Sequence, residues 1–427
     1  NNKTKPFKPH WRYQKRGFAF CKVPSSHQMR QPFKASFAPF GRSARVAERR
    51  HRRERQLRGR RQGNTDGRHP KAQVISGRHM IQRIAWRRQA MVDADIVIVG
   101  AGLAGAATAY HLATRHRRHV TMVEKEAVLG EHSSGRNAAI VRAHGVDPLL
   151  TPLIQEGAEF LRRGQLARFE RRGVMLLGMG NEDIRPHFPR ACGTGLWCPH
   201  DGTVDVAGLL QTYLEGVEVH FDTEVLGWSR IADRLCVQTN RGELACDLLV
   251  NATGPWAGHF GRLPIRPYNR HLFATTPMAE IDPGWPCVWD TQGGLYFRPE
   301  SGGLLLSVCD ETPADPGAYH ENPAILERLA ENVRSTQPDL GEFGIRSIWV
   351  GQRVFAPDRR FVIGFDPRDD RVFHVAALGG HGVTTSYSVG RIAADMIAGS
   401  RVEGVSALAP SRLFGSQVGA FCGDADG

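Results

Sequence analysis

The sequence predicts an α/β fold, a Rossmann-like nucleotide-binding domain interleaved with a smaller domain built on an antiparallel sheet. Three observations predict it. Residues 95–124, DIVIVGAGLAGAATAYHLATRHRRHVTMVE, read as a strand, a glycine turn, a helix and a second strand. Residues 266–308 change to short strand-like runs interrupted by Pro and Gly, at 271–275, 294–298 and 303–308. Residues 372–397 return to a strand that runs through three glycines into a helix.

In the first stretch, residues 95–99 are apolar and mostly β-branched, and Gly100, Gly102 and Gly105 follow in GxGxxG spacing. The first glycine permits the tight turn, the second lets backbone approach a pyrophosphate, and the third allows close packing of helix on strand. The helix N-terminus then presents free N–H groups and a positive dipole end to phosphate. Glu124 comes 19 residues after Gly105, where a carboxylate accepts ribose hydroxyls and disfavours a 2′-phosphate. On these residues alone NAD and FAD are both open.

Charge divides the chain. The net charge is +13 over 427 residues, yet residues 1–90 hold 25 Lys and Arg against three acids, +22, and the remainder carries −9. The basic balance is therefore a property of the first 90 residues. Their few aliphatic residues and lack of periodicity predict a disordered extension, since too little apolar surface is available to offset ordering entropy. Nucleic-acid binding or a transit peptide would share this composition; we expect translation to start naturally at Met91, and residues 91–427 to form the enzyme body. The eight cysteines show no CxxC and no ligand spacing with histidine. No metal site is expected, and reduced thiols predict a cytoplasmic protein. No apolar run is long enough to span a bilayer.

Taken in order, residues 130–139, GEHSSGRNAA, form a polar loop that can offer hydroxyls and a guanidinium to a pyrophosphate and redox ring; an ordinary surface loop has the same composition. Residues 149–169 predict an amphipathic helix. Runs at 217–226, 235–239 and 244–250 predict a small antiparallel meander returning to the main sheet, and the last leads into NATGPWAG at 251–258, a second glycine turn. After the antiparallel excursion, 323–336 predicts a helix and 345–350 a strand. WVGQR at 349–353, APD at 356–358, strands at 361–363 and 372–377, and LGGHGVTTS at 378–386 complete the pattern, with a helix from about 387 to 397.

GAGLAG with Glu124, HSSGRNAA, NATGPWAG, LYFRPE, WVGQR with APD and IG, and LGGHGVTTS, in this order, resemble the FAD-dependent D-amino-acid oxidase superfamily, most closely its glycine oxidase and D-arginine dehydrogenase branch. The resemblance spans residues 93–410. It implies FAD-binding parts at about 91–175, 200–265 and 345–427, and substrate-domain parts at about 176–199 and 266–344. It implies that Gly100, Gly102, Gly105, Glu124 and Lys125 hold the ADP portion. Ser133, Ser134, Arg136 and Asn137 would approach the pyrophosphate and flavin, Val225 the adenine, Gly254 the nearby cofactor, and Gly379, Gly380, Gly382, Val383 and Thr384 the flavin ring. Arg353 would grip the substrate carboxylate, with Tyr296 as its partner. Arg270 would face the distal end of the substrate, and His381 would bond substrate or flavin. His132 stands where some relatives attach FAD covalently, but HSSGR matches the noncovalent branch, and VGQRVFAPD lacks the cysteine that carries flavin in sarcosine-oxidase relatives. The expected reaction is oxidation of the C–N bond of an amino or imino acid, by hydride transfer from Cα to flavin N5. The resulting imine hydrolyses to a 2-oxo acid, and dioxygen or a quinone or other carrier reoxidises the flavin. A 2-hydroxy-acid dehydrogenase is the alternative enzyme, and a nucleic-acid-binding protein the alternative class.

Overall fold

The computed structural model of the protein describes residues 92–145 and 147–415, all within one compact unit of the chain. The expectation of a disordered extension falls on residues 1–90, outside the described residues.

The apolar run after Met91 forms the strand Val92–Val99 at the centre of the main sheet, whose order is Val362–Asp366, Asp369–Ala376, Gly242–Asn251, Val92–Val99, Val120–Val123, Glu218–His220. All neighbours are parallel except the first pair. The strand ends are level, because Val99 pairs with both Val123 and Asn251, and Asn251 with His374. The loops that follow, at Gly100, Glu124 and Ala252, therefore gather along one carboxyl edge, where open α/β sheets bind ligands. Strands Val225–Ile231 and Arg234–Thr239 form a meander onto Gly242–Asn251; of the run expected at 217–226, Glu218–His220 instead joins the main sheet parallel to Val120–Val123.

Helices Leu103–His116 and Gly382–Ile397 cover one face of this sheet, burying Ile96, Ile98, Met122 and Phe373 with Leu112 and Ile392. They approach so closely that a Cβ on Gly390 would lie 2.5 Å from the Ala107 carbonyl carbon. The meander covers the other face through Val97, Val123, Leu235 and Val237.

The second sheet runs Thr312–Pro313, Arg266–Thr275, Gly303–Ser307, Leu295–Glu300, Cys287–Asp290, Val174–Asp183, Thr194–Cys198, and Ile345–Phe355 also pairs along Arg266–Thr275. It is antiparallel except between Cys287–Asp290 and Val174–Asp183. Two boundaries differ from the sequence reading. The segment 345–355, expected with the nucleotide-binding parts, is a strand of this second sheet, and Val174 already belongs to it. An apolar run specifies a strand but not its partner, and here a ladder from Arg266 to Thr275 decides the pairing. The helix Pro323–Thr336 matches its predicted span; its Ile325, Leu329 and Val333 pack beneath Phe273, Phe297 and Leu306.

Candidate active site

Glu124, at the end of its strand, accepts hydrogen bonds from Ala101 N (2.9 Å, Oε2) and Glu126 N (3.0 Å, Oε1). The carboxylate is thereby fixed against the glycine turn. It lines a cavity of about 370 Å³ together with Gly100, Gly102, Lys125, Ser133, Ser134, Val225 and Gly254. A second cavity of about 110 Å³ is lined by Asn137, Arg353, Gly379, Gly380, Gly382 and Val383, and shares Gly102, Ser133, Ser134, Ala252 and Gly254 with the first. The two cavities thus adjoin, one at the acidic strand end and the other at the glycine loop 379–382, with the helix N-terminus at Gly102 lining both.

Local chemistry explains the shape. A Cβ on Gly100 would lie 2.6 Å from Ala252 O, and on Gly105 2.0 Å from Gly100 O. Gly102 caps its helix without a side chain, and Leu103 N instead donates to Ser134 Oγ at 2.9 Å. Asn137 holds the serine loop closed: its Nδ2 donates to Ser133 O and Ser134 O, and its Oδ1 accepts from Ala139 N, a residue at φ 58°. Lys125 Nζ lies 3.4 Å from the centre of the Trp256 ring. His132 bridges Tyr319 (2.7 Å) and Glu126 (2.8 Å), so both ring nitrogens are engaged.

Other expected residues stand outside the two linings. The Arg136 guanidinium bonds Glu131 and stacks on Tyr319, and only its carbonyl turns inward, toward Arg353. Thr384 is buried, donating to Ile140 O. Gly105 is packed inside the turn.

The register of the second sheet brings the expected substrate residues together. Tyr268 pairs with Arg353 and Arg270 with Gly351, which puts Arg270 and Arg353 on one face. Ser307 pairs with Tyr296, and Tyr296 with Trp289, on that same face, which meets Ala138 and Ile140 of the nucleotide-binding part. Arg353 occupies a slot between two glycines: a Cβ on Gly351 would lie 3.0 Å from its Nη1 and 2.3 Å from Arg136 O, and one on Gly380 3.1 Å from its Cδ. Its guanidinium donates only to the carbonyls of Arg136 and Gln352, at 3.2 to 3.4 Å. Among the described residues no carboxylate pairs with it, and burial pushes its pKa below the ordinary arginine value. Arg270, by contrast, is paired with Glu311 at 3.1 Å, which also holds Arg359. Burial raises the Tyr296 hydroxyl pKa.

His381 lies between Leu378–Gly380 and the last helix. Burial, then the nearby Arg142, lowers its pKa to about 4. Arg142 Nη2 donates to His381 Nε2 at 3.3 Å; since arginine only donates, the neutral ring carries its proton on Nδ1, a buried atom with no partner among the described residues.

Sequence reasoning missed Arg142, Gly351 and Gln352. Gln352 bonds Asn269, Asp315 and Gly317, and its carbonyl accepts from Ser133 Oγ at 2.8 Å, tying the two sheets' loops together. The signal for Arg142 was a lone charge inside the small and apolar run AAIVRA.

A largely parallel sheet with a glycine turn, an acid at the second strand end and a cavity along its carboxyl edge defines a dinucleotide-binding fold. The particular family follows from comparison. The FAD dependent oxidoreductase (DAO) family profile matches residues 95–185 and 165–396, and the chain belongs to that family. It is an enzyme, and its cofactor is FAD; the acid at the strand end, the open space beside Gly254 and Gly382 and the two adjoining cavities fit that group. Human mitochondrial sarcosine dehydrogenase is 24% identical over 347 residues, covering 64% of this chain and 36% of its own. Glycine oxidase of Pseudomonas aeruginosa is 26% identical over 196 residues, covering 43% and 50%. The chain spans less than half the length of the sarcosine dehydrogenase. Among solved structures, L-proline dehydrogenase from P. horikoshii superimposes with a TM-score of 0.68 at 22% identity, over 75% of this chain and 98% of that one. Glycine oxidase from Geobacillus kaustophilus gives 0.65 at 21%, over 75% and 99%. These likenesses show the fold. No helix among the described residues is long and apolar enough to cross a membrane.

Proposed function

We propose that the enzyme oxidises the C–N bond of an amino or imino acid to the imine, which water hydrolyses to a 2-oxo acid and ammonia or an amine. The observation that carries this reading is Arg353, a buried guanidinium at the wall of the second cavity with no carboxylate partner among the described residues. A bidentate pair with an α-carboxylate satisfies both its charge and its planar donors, and fixes the Cα hydrogen in direction as well as position. Tyr296, on the same sheet face, contributes a neutral hydroxyl to the same group. FAD, when bound, accepts the two electrons and the Cα hydrogen. His381, neutral at pH 7, serves as a hydrogen-bond donor through Nδ1 rather than as a base.

The cofactor is held without a covalent bond. This is supported by His132, whose two ring nitrogens are already bonded, and acid precipitation is expected to leave yellow flavin in the supernatant. The free thiols of Cys192, Cys198, Cys236, Cys246, Cys287 and Cys309 support a reducing, cytoplasmic setting. Anaerobic flavin bleaching by D- and L-amino acids, sarcosine and 2-hydroxy acids tests the reaction. Bleaching with ammonia or amine release is expected; bleaching by hydroxy acids alone overturns the proposal. Reoxidation of the bleached enzyme by dioxygen or by a quinone then assigns oxidase or dehydrogenase.

A further inference from the structure

Arg142 is a second guanidinium without a carboxylate partner among the described residues, and it faces the same sheet surface from the opposite side. It follows the short strand Ile140–Val141, its guanidinium lies 4.3 Å from the centre of the Trp289 ring, and Trp289 packs on Tyr296 with ring centres 4.8 Å apart. Its named bonds go to His144 O (2.8 Å) and His381 Nε2 (3.3 Å), both neutral acceptors. The neighbouring acid, Asp201, is already committed to Arg162 and to Ala143 N. Arg142 covers Trp289, and Trp289, Tyr296 and Ser307 belong to the sheet face that carries Arg270 and Arg353, so the three cations stand over one sheet face. Arg142 itself is half-buried.

Arg270 has Glu311; among the described residues the hydrogen bonds of Arg142 and Arg353 go only to carbonyls and an imidazole, and the neighbouring acids Asp201 and Asp310 are bonded to Arg162 and His271. A guanidinium held away from water without an anion is costly, and a ligand that supplies the anion removes that cost. We propose that the substrate is a dicarboxylic amino or imino acid, Arg353 taking the α-carboxylate and Arg142 the second carboxylate, with His381 Nδ1–H beside it. The proposal rests on amine oxidation at this site, and it makes Arg142 the residue that sets specificity.

Succinate and butyrate share a four-carbon chain and differ by one carboxylate, so titrating each into the FAD-loaded protein, with calorimetry or the flavin absorbance as readout, isolates the second charge. Succinate is expected to bind tighter by on the order of 10²-fold. Arg142→Met should erase the preference, read as the ratio of succinate to butyrate affinity, and Arg142→Lys should restore part of it. Equal affinities in the unaltered protein, no succinate binding, or a preference that survives in Arg142→Met each overturn the proposal. A changed flavin spectrum in Arg142→Met with an unchanged succinate-to-butyrate ratio also overturns it, assigning Arg142 to the cofactor. Turnover separates this inference from the reading beneath it. Flavin reduction by monocarboxylic amino acids as fast as by aspartate, glutamate and iminodiacetate defeats only the second carboxylate, whereas reduction by no amine at all defeats both.

Discussion

Gly105 lies inside the turn it helps to make, and a methyl group there would sit 2.0 Å from Gly100 O, a backbone atom that cannot swing aside. Gly105→Ala is therefore expected to cost about 1 to 3 kcal/mol of turn geometry and to weaken FAD binding by roughly ten- to a hundredfold. The ratio of absorbance at the flavin band to that of protein after gel filtration measures it; full retention would show that the turn shifts freely. Arg353 gives the complementary test at the substrate end. Arg353→Lys keeps the charge but loses the planar pair, so kcat/KM should fall by at least about 30-fold, a loss of about 2 kcal/mol or more, with FAD content unchanged. Normal anaerobic reduction in Arg353→Ala would remove the carboxylate assignment.

At the scale of elements, two close approaches hold the site together. On the strand Ile345–Phe355, Gly351 leaves room for the Arg136 carbonyl, and a Cβ would meet that oxygen at 2.3 Å and Arg353 Nη1 at 3.0 Å. Gly351→Ala is expected to raise the KM for substrate by about tenfold, since about 1 to 3 kcal/mol of overpacking falls on Arg353, the residue proposed to orient it. Unaltered steady-state kinetics would contradict this. Helices Leu103–His116 and Gly382–Ile397, which carry the pyrophosphate turn and the 379–382 loop, touch at Gly390. Gly390→Ala should lower the urea midpoint by the equivalent of about 1 to 3 kcal/mol, because its Cβ would meet Ala107 backbone rather than a mobile side-chain tip.

For the whole molecule, buried histidines set the response to acid. His111 donates through Nε2 to Tyr387 O, leaving Nδ1 buried without a partner among the described residues, and burial, then Arg115, lowers its pKa to about 4. Above pH 6.5 it is neutral in both states and contributes no pH dependence. As pH falls from 6.5 toward 4 the unfolded chain takes up a proton that the folded one refuses, so stability drops by about 1.4 kcal/mol per unit, on the order of 3 kcal/mol in all. His381 acts in the same direction over the same window. Thermal denaturation of FAD-loaded protein between pH 7 and 4.5 should show this loss, and His111→Gln should shallow it by about one proton; an unchanged slope would assign the loss elsewhere.

By itself the sequence determined the nucleotide-binding unit, because Gly100, Gly102, Gly105 and Glu124 act through local spacing: turn, helix start and strand end follow one another along the chain. It also determined most elements, since periodicity is local; the span 323–336 matches its helix. The last helix begins at Gly382 rather than near 387 because the glycine loop ends in helical backbone. Tertiary structure decided what depends on pairing across distance. Only the ladder Arg266–Thr275 with Ile345–Phe355 moves that strand into the second sheet and sets Arg270 and Arg353 on one face. Only packing brings Arg142, from beyond a two-residue strand, against Trp289 and His381. A charge in a short apolar run carries no mark of what lies opposite it, and burial, which makes its missing counter-ion costly, exists only in the folded chain.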